Sequence, residues 1–189
     1  LLFALATCLP AVERKSLKEA VIQALGLLPQ NALVGLVTFG TAVQVFELSF
    51  ALCPKAYVFS GTKEYPAAKV QELLGLPRPA ASSAPHHPQQ PPPPMFVPNG
   101  FIVPLSECEF NLTAILEELQ SDPWPVRGDH RPLLSTGAAM SVAVGLLESV
   151  CKGSAARLMC FTGGPCTQGP GPMACVDFKE LTRYDTGGI

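Results

Sequence analysis

Charge is scarce in this chain. Only 15% of its 189 residues are Asp, Glu, Lys or Arg, against about 25% in ordinary soluble domains. A domain that buries one or more faces against partners has this composition. The formal charge of −2 leaves no basic stripe for tracking phosphates, which argues against a nucleic-acid groove and against nucleic-acid partners. No apolar run approaches the roughly 20 residues of a membrane span. The apolar start at residues 1–5 lacks the basic lead and cleavage site of a secretory signal. It reads as a strand entered midway, so the chain is expected to be a fragment of something longer.

Metal-binding and catalytic signatures are missing as well. The seven cysteines (Cys8, Cys53, Cys108, Cys151, Cys160, Cys166, Cys175) contain no C-x-x-C pair, so a zinc cage is not indicated. An odd, scattered set reads as free thiols in a reducing compartment, hence cytoplasmic. Of the three histidines, His86 and His87 fall in a proline-rich stretch and His130 in a turn. None stands near a serine or cysteine in a way that suggests a nucleophilic triad. Gly61-Thr-Lys63 and the glycines of 163–171 lack the phosphate-loop pattern, and turns that use glycine are the preferred reading. No catalytic, cofactor-binding or metal-ligating residue is assigned.

What is present is an α/β pattern. Residues 1–7 form a continuous apolar run, as in a strand covered on both faces. Residues 15–28 place Leu17, Val21, Ala24 and Leu28 at helical spacing, with Lys15, Lys18 and Glu19 on the wet side. Residues 33–39 are a second buried strand, so the three elements make a βαβ unit with parallel strands. Gly40-Thr41 allows only a hairpin, making 42–48 an antiparallel third strand placed at the edge. A short strand at 57–60 and a helix at 66–74 follow.

Nine of the 20 prolines lie in the stretch 77–100, read as a flexible or polyproline-like insertion. Linker is preferred there over an SH3 or WW ligand at Pro91–Pro94. Asn111 is a candidate cap for a helix carrying Leu112, Ile115, Leu116 and Leu119. Asp122-Pro-Trp-Pro125 stops that helix, with Trp124 read as a local packing plug ahead of a binding hot spot. Ser135 or Thr136 opens a helix through Leu147 whose small residues suit close packing. Residues 156–162 form the next strand. The fold class is α/β, doubly wound, mostly parallel, with one antiparallel edge strand.

Several phrases are more specific than this pattern. LLPQNALVGLVTFG (27–40), YVFSGTKEY (57–65), KVQELLGL (69–76), ELQSDPWPV (118–126), GLLE (145–148) and GGPCTQGPG (163–171) occur in that order. Together they resemble the von Willebrand factor A-like trunk domain of the COPII coat's inner-layer, GTPase-activating subunit. The similarity runs in order over nearly the whole chain, weakening at 77–100 and again after Pro172, and residues 1–189 are read as one trunk domain interrupted at about 77–100.

The resemblance implies a structural and regulatory coat protein acting in ER-to-Golgi transport, not an enzyme. It implies a heterodimer with a homologous cargo-binding subunit, contact with the small coat GTPase and with outer-coat subunits, and a peripheral position on the ER membrane and COPII vesicles. The family's zinc site belongs to a separate upstream domain, so no cofactor is expected here. Its catalytic arginine belongs to a gelsolin-like domain, so Arg14, Arg78, Arg127, Arg131, Arg157 and Arg183 are not given that role. Metal-binding von Willebrand A domains carry D-x-S-x-S after the first strand, where this chain has Ala6, Cys8 and Pro10, and an Asp where it has Gly163 or Gly164. Two rivals are the cargo-binding sister subunit and a metal-dependent adhesion-type domain. DPWPV and TQGPG favour the GTPase-activating branch over the first, and the missing carboxylates oppose the second.

Overall fold

The structure, a computed structural model, describes residues 1–50, 53–76, 99–124, 126–151 and 155–179. The insertion expected at 77–100, Pro91–Pro94 included, lies outside these residues except for Asn99 and Gly100.

The first strand, β1 (Leu2–Ala6), is buried along its whole length, as its unbroken apolar run requires. Helix α1 (Ala11–Gly26) leads to β2 (Leu33–Phe39), which lies parallel to β1 with Leu2 beside Gly35 and Ala6 beside Phe39. The chain then reverses through Gly40-Thr41 into β3 (Ala42–Glu47), antiparallel to β2, and reverses again into β4 (Lys55–Ser60). Helix α2 (Ala67–Leu73), the two-residue β5 (Val103–Pro104), α3 (Leu105–Glu118), α4 (Thr136–Val150) and β6 (Leu158–Phe161) complete the order. The sheet runs β4-β3-β2-β1-β6, with β5 pairing β2 off this path. Its centre, β2-β1-β6, is parallel.

Alternation along β1 divides the core. Leu2, Ala4 and Ala6 face a cluster with Val70 of α2, Leu74 just after it, and Ala138, Ala139, Val142, Ala143 and Leu146 of α4. Phe3 and Leu5 face the opposite cluster, with Val21 and Leu25 of α1 and Leu105, Leu112, Ile115 and Leu116 of α3. On the first face the sheet meets mostly small residues of α4, Ala138, Ala139 and Ala143 among them. On the other face the larger side chains Leu105, Leu112, Ile115 and Leu116 of α3 fill the layer. Helices on both faces of a parallel-centred sheet are the doubly wound arrangement.

Three expectations need correction. Strand β3 is not the edge, because β4 pairs along its whole length from Ala42–Ser60 to Glu47–Lys55; the antiparallel flank therefore has two strands. Asn111 caps nothing. Helix α3 begins six residues earlier, after Pro104, and Asn111 Nδ2 donates to the carbonyls of Leu48 (2.9 Å) and Phe50 (3.2 Å). Trp124 plugs nothing, being 63% exposed.

Proline marks the helix starts instead. Pro10, Pro66 and Pro104 occupy the N-cap positions of α1, α2 and α3 with φ between −52° and −58°. There the fixed φ leads the chain into the helix without removing a hydrogen bond that the helix needs. Lys18, expected on the wet side, is half-buried. Its Nζ donates to the carbonyls of Glu117 (2.6 Å) and Leu119 (3.0 Å), which tie α1 to the unsatisfied C-terminal end of α3.

Candidate functional site

Open α/β sheets present ligand sites at the C-terminal ends of their parallel strands. Here that end is formed by residues 7–10 after β1, Gly40-Thr41 after β2 and residues 162–171 after β6. The first question is whether it suits a hard cation. The positions where a D-x-S-x-S loop would supply oxygens hold the Ala6 methyl, the Cys8 thiol and the Pro10 ring, with Gly163 and Gly164 after β6. Ala6, Cys8, Gly163 and Gly164 line a pocket of about 230 Å³ whose wall also includes Leu9, Leu134, Pro165 and Phe178. Such a donor set does not fit Mg²⁺ or Mn²⁺, which require oxygen ligands. Among the described residues no three His, Cys, Asp or Glu side chains are grouped for a metal.

Cys8 is packed. Its Sγ donates to the Leu133 carbonyl at 3.2 Å. Burial first, then the neighbouring Asp122 charge, push its thiol up to about 11. Cys8 and His130 do line one cleft of about 440 Å³, together with Trp124, Val126, Arg127 and Arg131, a proximity invisible in the sequence. A protonated thiol committed to a carbonyl is a poor nucleophile. His130 pairs instead with Asp129, Nδ1 to Oδ1 at 2.6 Å, and that hydrogen bond is the main cause of the lowered Asp129 pKa.

The most organised feature of this end is the β2–β3 turn. The amide of Thr41 donates to Asp122 Oδ2 at 2.6 Å, and its hydroxyl reaches Asp122 Oδ1 at 3.2 Å. The Thr41 carbonyl accepts from Gln168 Nε2 at 2.8 Å. Both backbone polar groups of one turn residue are thus satisfied by side chains, one from DPWPV and one from TQGPG. Next to it, the Gly40 carbonyl accepts from the Ser135 amide (3.0 Å) and hydroxyl (2.7 Å). Ser135, expected to cap α4, therefore spends its hydroxyl on the turn.

Glycine is required where these segments meet. A Cβ on Gly40 would collide with Asp122 Oδ2 and lie 2.6 Å from Thr7 Oγ1 and 3.0 Å from Cys8 Sγ. Gly169, at φ +78°, lies against the Gly61 carbonyl, where a side chain would find neither room nor an allowed backbone. Thr167 fastens the loop further: its Oγ1 accepts from the Leu134 amide (2.9 Å) and donates to the Pro132 carbonyl (2.7 Å). The segments Gly40-Thr41, SDPW and CTQGPG, distant in sequence, form one hydrogen-bonded knot, with Gly61 of FSGT packed against Gly169.

A family model described as the Sec23/Sec24 trunk domain matches residues 2–181. The chain belongs to the Sec23/Sec24 trunk-domain family. Membership places it among components of the COPII coat. A crystal structure of the human COPII-coat protein Sec24c is similar at 15% identity and a TM-score of 0.48, covering 95% of this chain and 20% of that one. This trunk domain therefore spans one fifth of the length of that relative. Among its described residues, no helix is long and apolar enough to cross a membrane.

Sequence reasoning left several residues of this Sec23/Sec24-type trunk unassigned: Asp122, Gln168, Thr41 and Arg131. Only Asp122 carried a local signal. An Asp two residues before an amide forms a turn, and Asp122 Oδ1 does accept from the Trp124 amide at 3.0 Å.

Proposed function

We propose that this chain is the trunk of a GTPase-activating inner-coat subunit that pairs with the homologous cargo-binding subunit and contacts the membrane-bound coat GTPase. It acts in the cytoplasm, peripheral to the ER membrane and COPII vesicles, where outer-coat subunits assemble over it. The observation that supports this reading is the double reading of Thr41 by Asp122 and Gln168. These residues come from DPWPV and TQGPG, the two phrases that separate this branch from the cargo-binding one by resemblance. A knot built from branch-specific phrases at one sheet end is what a fixed protein-binding surface needs, since prepositioned loops lose less freedom on association.

On this reading the chain performs no chemistry and carries no cofactor. It positions the GTPase, while the arginine that neutralises charge on the transferring phosphoryl group comes from another domain. An arginine finger contributes roughly 10³–10⁵ in rate, so its absence is easily measured. Single-turnover GTP hydrolysis is compared for the GTPase alone, with this chain, and with a full-length GTPase-activating subunit. Binding without stimulation is the expected result. Stimulation by this chain alone, abolished by changing one of its own arginines, would overturn the assignment.

A further inference from the structure

The cleft of about 440 Å³ has the chain's only tryptophan in its wall. Trp124 is 63% exposed, and Val126, in the same wall, 51%. Lone apolar side chains in solvent are ordinary surface, but the backbone of Trp124 is fixed. Its amide donates to Asp122 Oδ1 at 3.0 Å, and the Asp122 amide donates to the Thr7 carbonyl at 3.2 Å. Asp122 Oδ2 in turn holds the Thr41 amide at 2.6 Å. A large ring is thus presented to solvent by a backbone tied to the ends of β1 and β2. The charges in the wall are unequal. Its described residues include two guanidinium groups, Arg127 and Arg131, and one carboxylate, Asp122. Asp122 is spent on the Thr41 amide and hydroxyl and on the Trp124 amide. His130 is bonded to Asp129. Arg131 Nη1 donates to the backbone carbonyls of Cys175 (2.9 Å) and Asp177 (3.0 Å), which carry no formal charge. The exposed Arg127 side chain has no bonding partner among the described residues.

We propose that this cleft docks an extended acidic segment of a partner protein, whose apolar side chain packs on Trp124 and Val126 while a neighbouring carboxylate pairs with Arg127. Trp and Arg carry a disproportionate share of binding energy at protein interfaces, and here one of each lines a single cleft. Its shape favours a protein segment over a small molecule. Small-molecule sites bury most of their ligand, whereas this anchor ring is itself mostly in solvent. A projecting ring on a fixed backbone loses little freedom when a chain is laid across it. The excess of guanidinium over carboxylate selects the sign of the partner's charge. The planar fork of Arg127 matches a carboxylate in geometry as well as in sign. The cleft adjoins the Thr41 knot, at the sheet end where open α/β folds receive ligands. This assignment concerns the chemistry of the docked segment and does not depend on the coat reading.

Because Trp124 is the only tryptophan, its fluorescence reads the site directly. Three short synthetic peptides are titrated into the full chain: one alternating Glu with Phe and Leu, one with Lys in place of every Glu, and one with Gln. The Glu peptide is expected to give a saturable blue shift that weakens as salt rises, and the other two none. Arg127→Glu should weaken the Glu peptide about tenfold or more, while Arg127→Lys, which keeps the charge, should retain part of the affinity. Trp124→Ala is read from the anisotropy of a labelled Glu peptide, and a loss of about tenfold or more is expected. Both side chains are exposed, so the urea midpoints of these variants should match the parent's. The proposal is refuted if the Glu peptide gives no saturable shift, or if the Lys or Gln peptide binds as well. Binding that survives both Arg127→Glu and Trp124→Ala would also overturn it. An emission shift that grows with chain concentration alone would make a second copy the occupant and rule out the acidic segment.

Discussion

Replacing Asp122 with Ala should loosen the whole end of the sheet. The perturbation deletes the acceptor of a 2.6 Å bond from the Thr41 amide and of longer bonds from the Thr41 hydroxyl and the Trp124 amide. A backbone amide bonded to a carboxylate contributes about 1.5–3 kcal/mol, and the two longer bonds add about 0.5–1 kcal/mol together. Asp122 and Thr41 are only half-buried, so water recovers part of this. The expected loss is about 1.5–3 kcal/mol, or roughly 3–10 °C in Tm for a domain of this size. Asp122→Asn, which keeps one oxygen, should lose about half as much. Urea unfolding provides the assay, with a lowered midpoint at constant slope as the signature. The second readout is Cys8. Without the Asp122 charge its thiol should become more acidic than about 11, yet stay above the ordinary value because burial is the larger cause. A loss under about 0.5 kcal/mol, with Cys8 reactivity unchanged, would refute the role of Asp122 in holding the Thr41 turn.

Gln168→Ala should cost about 1 kcal/mol, and the double variant with Asp122→Ala should depart from additivity, because both side chains bind Thr41. Gly40→Ala forces a methyl group against Asp122, Thr7 and Cys8 and should cost about 1–3 kcal/mol by overpacking, read from the same urea midpoints. Leu112→Ala, in the α3 layer, should cost about 2–5 kcal/mol. Cys8 and Cys108 are both raised from 9.0 to about 11, so the unfolded chain loses these protons first. Stability should therefore be complete below about pH 9 and fall as pH rises through about 11, and a Cys8→Ala, Cys108→Ala variant should flatten that fall. Calorimetric titration with Mg²⁺ or Mn²⁺ should give no stoichiometric heat, and a sub-millimolar site near residues 7–10 would contradict the donor-set argument.

The layers of this fold were legible in the sequence where burial is continuous. Residues 1–7 and 33–39 read as strands because both faces of β1 and β2 are covered, and the stripe of Leu112, Ile115 and Leu116 located the buried face of α3. The edge was misread because β4 starts with Lys55-Ala56, exposed residues without an apolar signature. Asn111 misled because capping propensity ignores a competing start, and Pro104 supplied one. Trp124 showed that flanking prolines do not imply a buried ring. The knot itself was unreadable: Asp122 and Gln168 meet Thr41 across 81 and 127 residues. Bonds from side chain to backbone at such separations leave no local pattern. Only the family-specific phrases marked those segments as special, without saying that they touch.

Partner choice tests the central claim most directly. The chain is mixed with equal amounts of the purified cargo-binding and GTPase-activating coat subunits, and the complexes are separated by sedimentation. The account predicts a heterodimer with the cargo-binding subunit, weakened by the Asp122→Ala, Gln168→Ala double variant in proportion to the loosening of the Thr41 knot. Pairing with the GTPase-activating subunit instead would contradict it and move the chain to the other branch of its family.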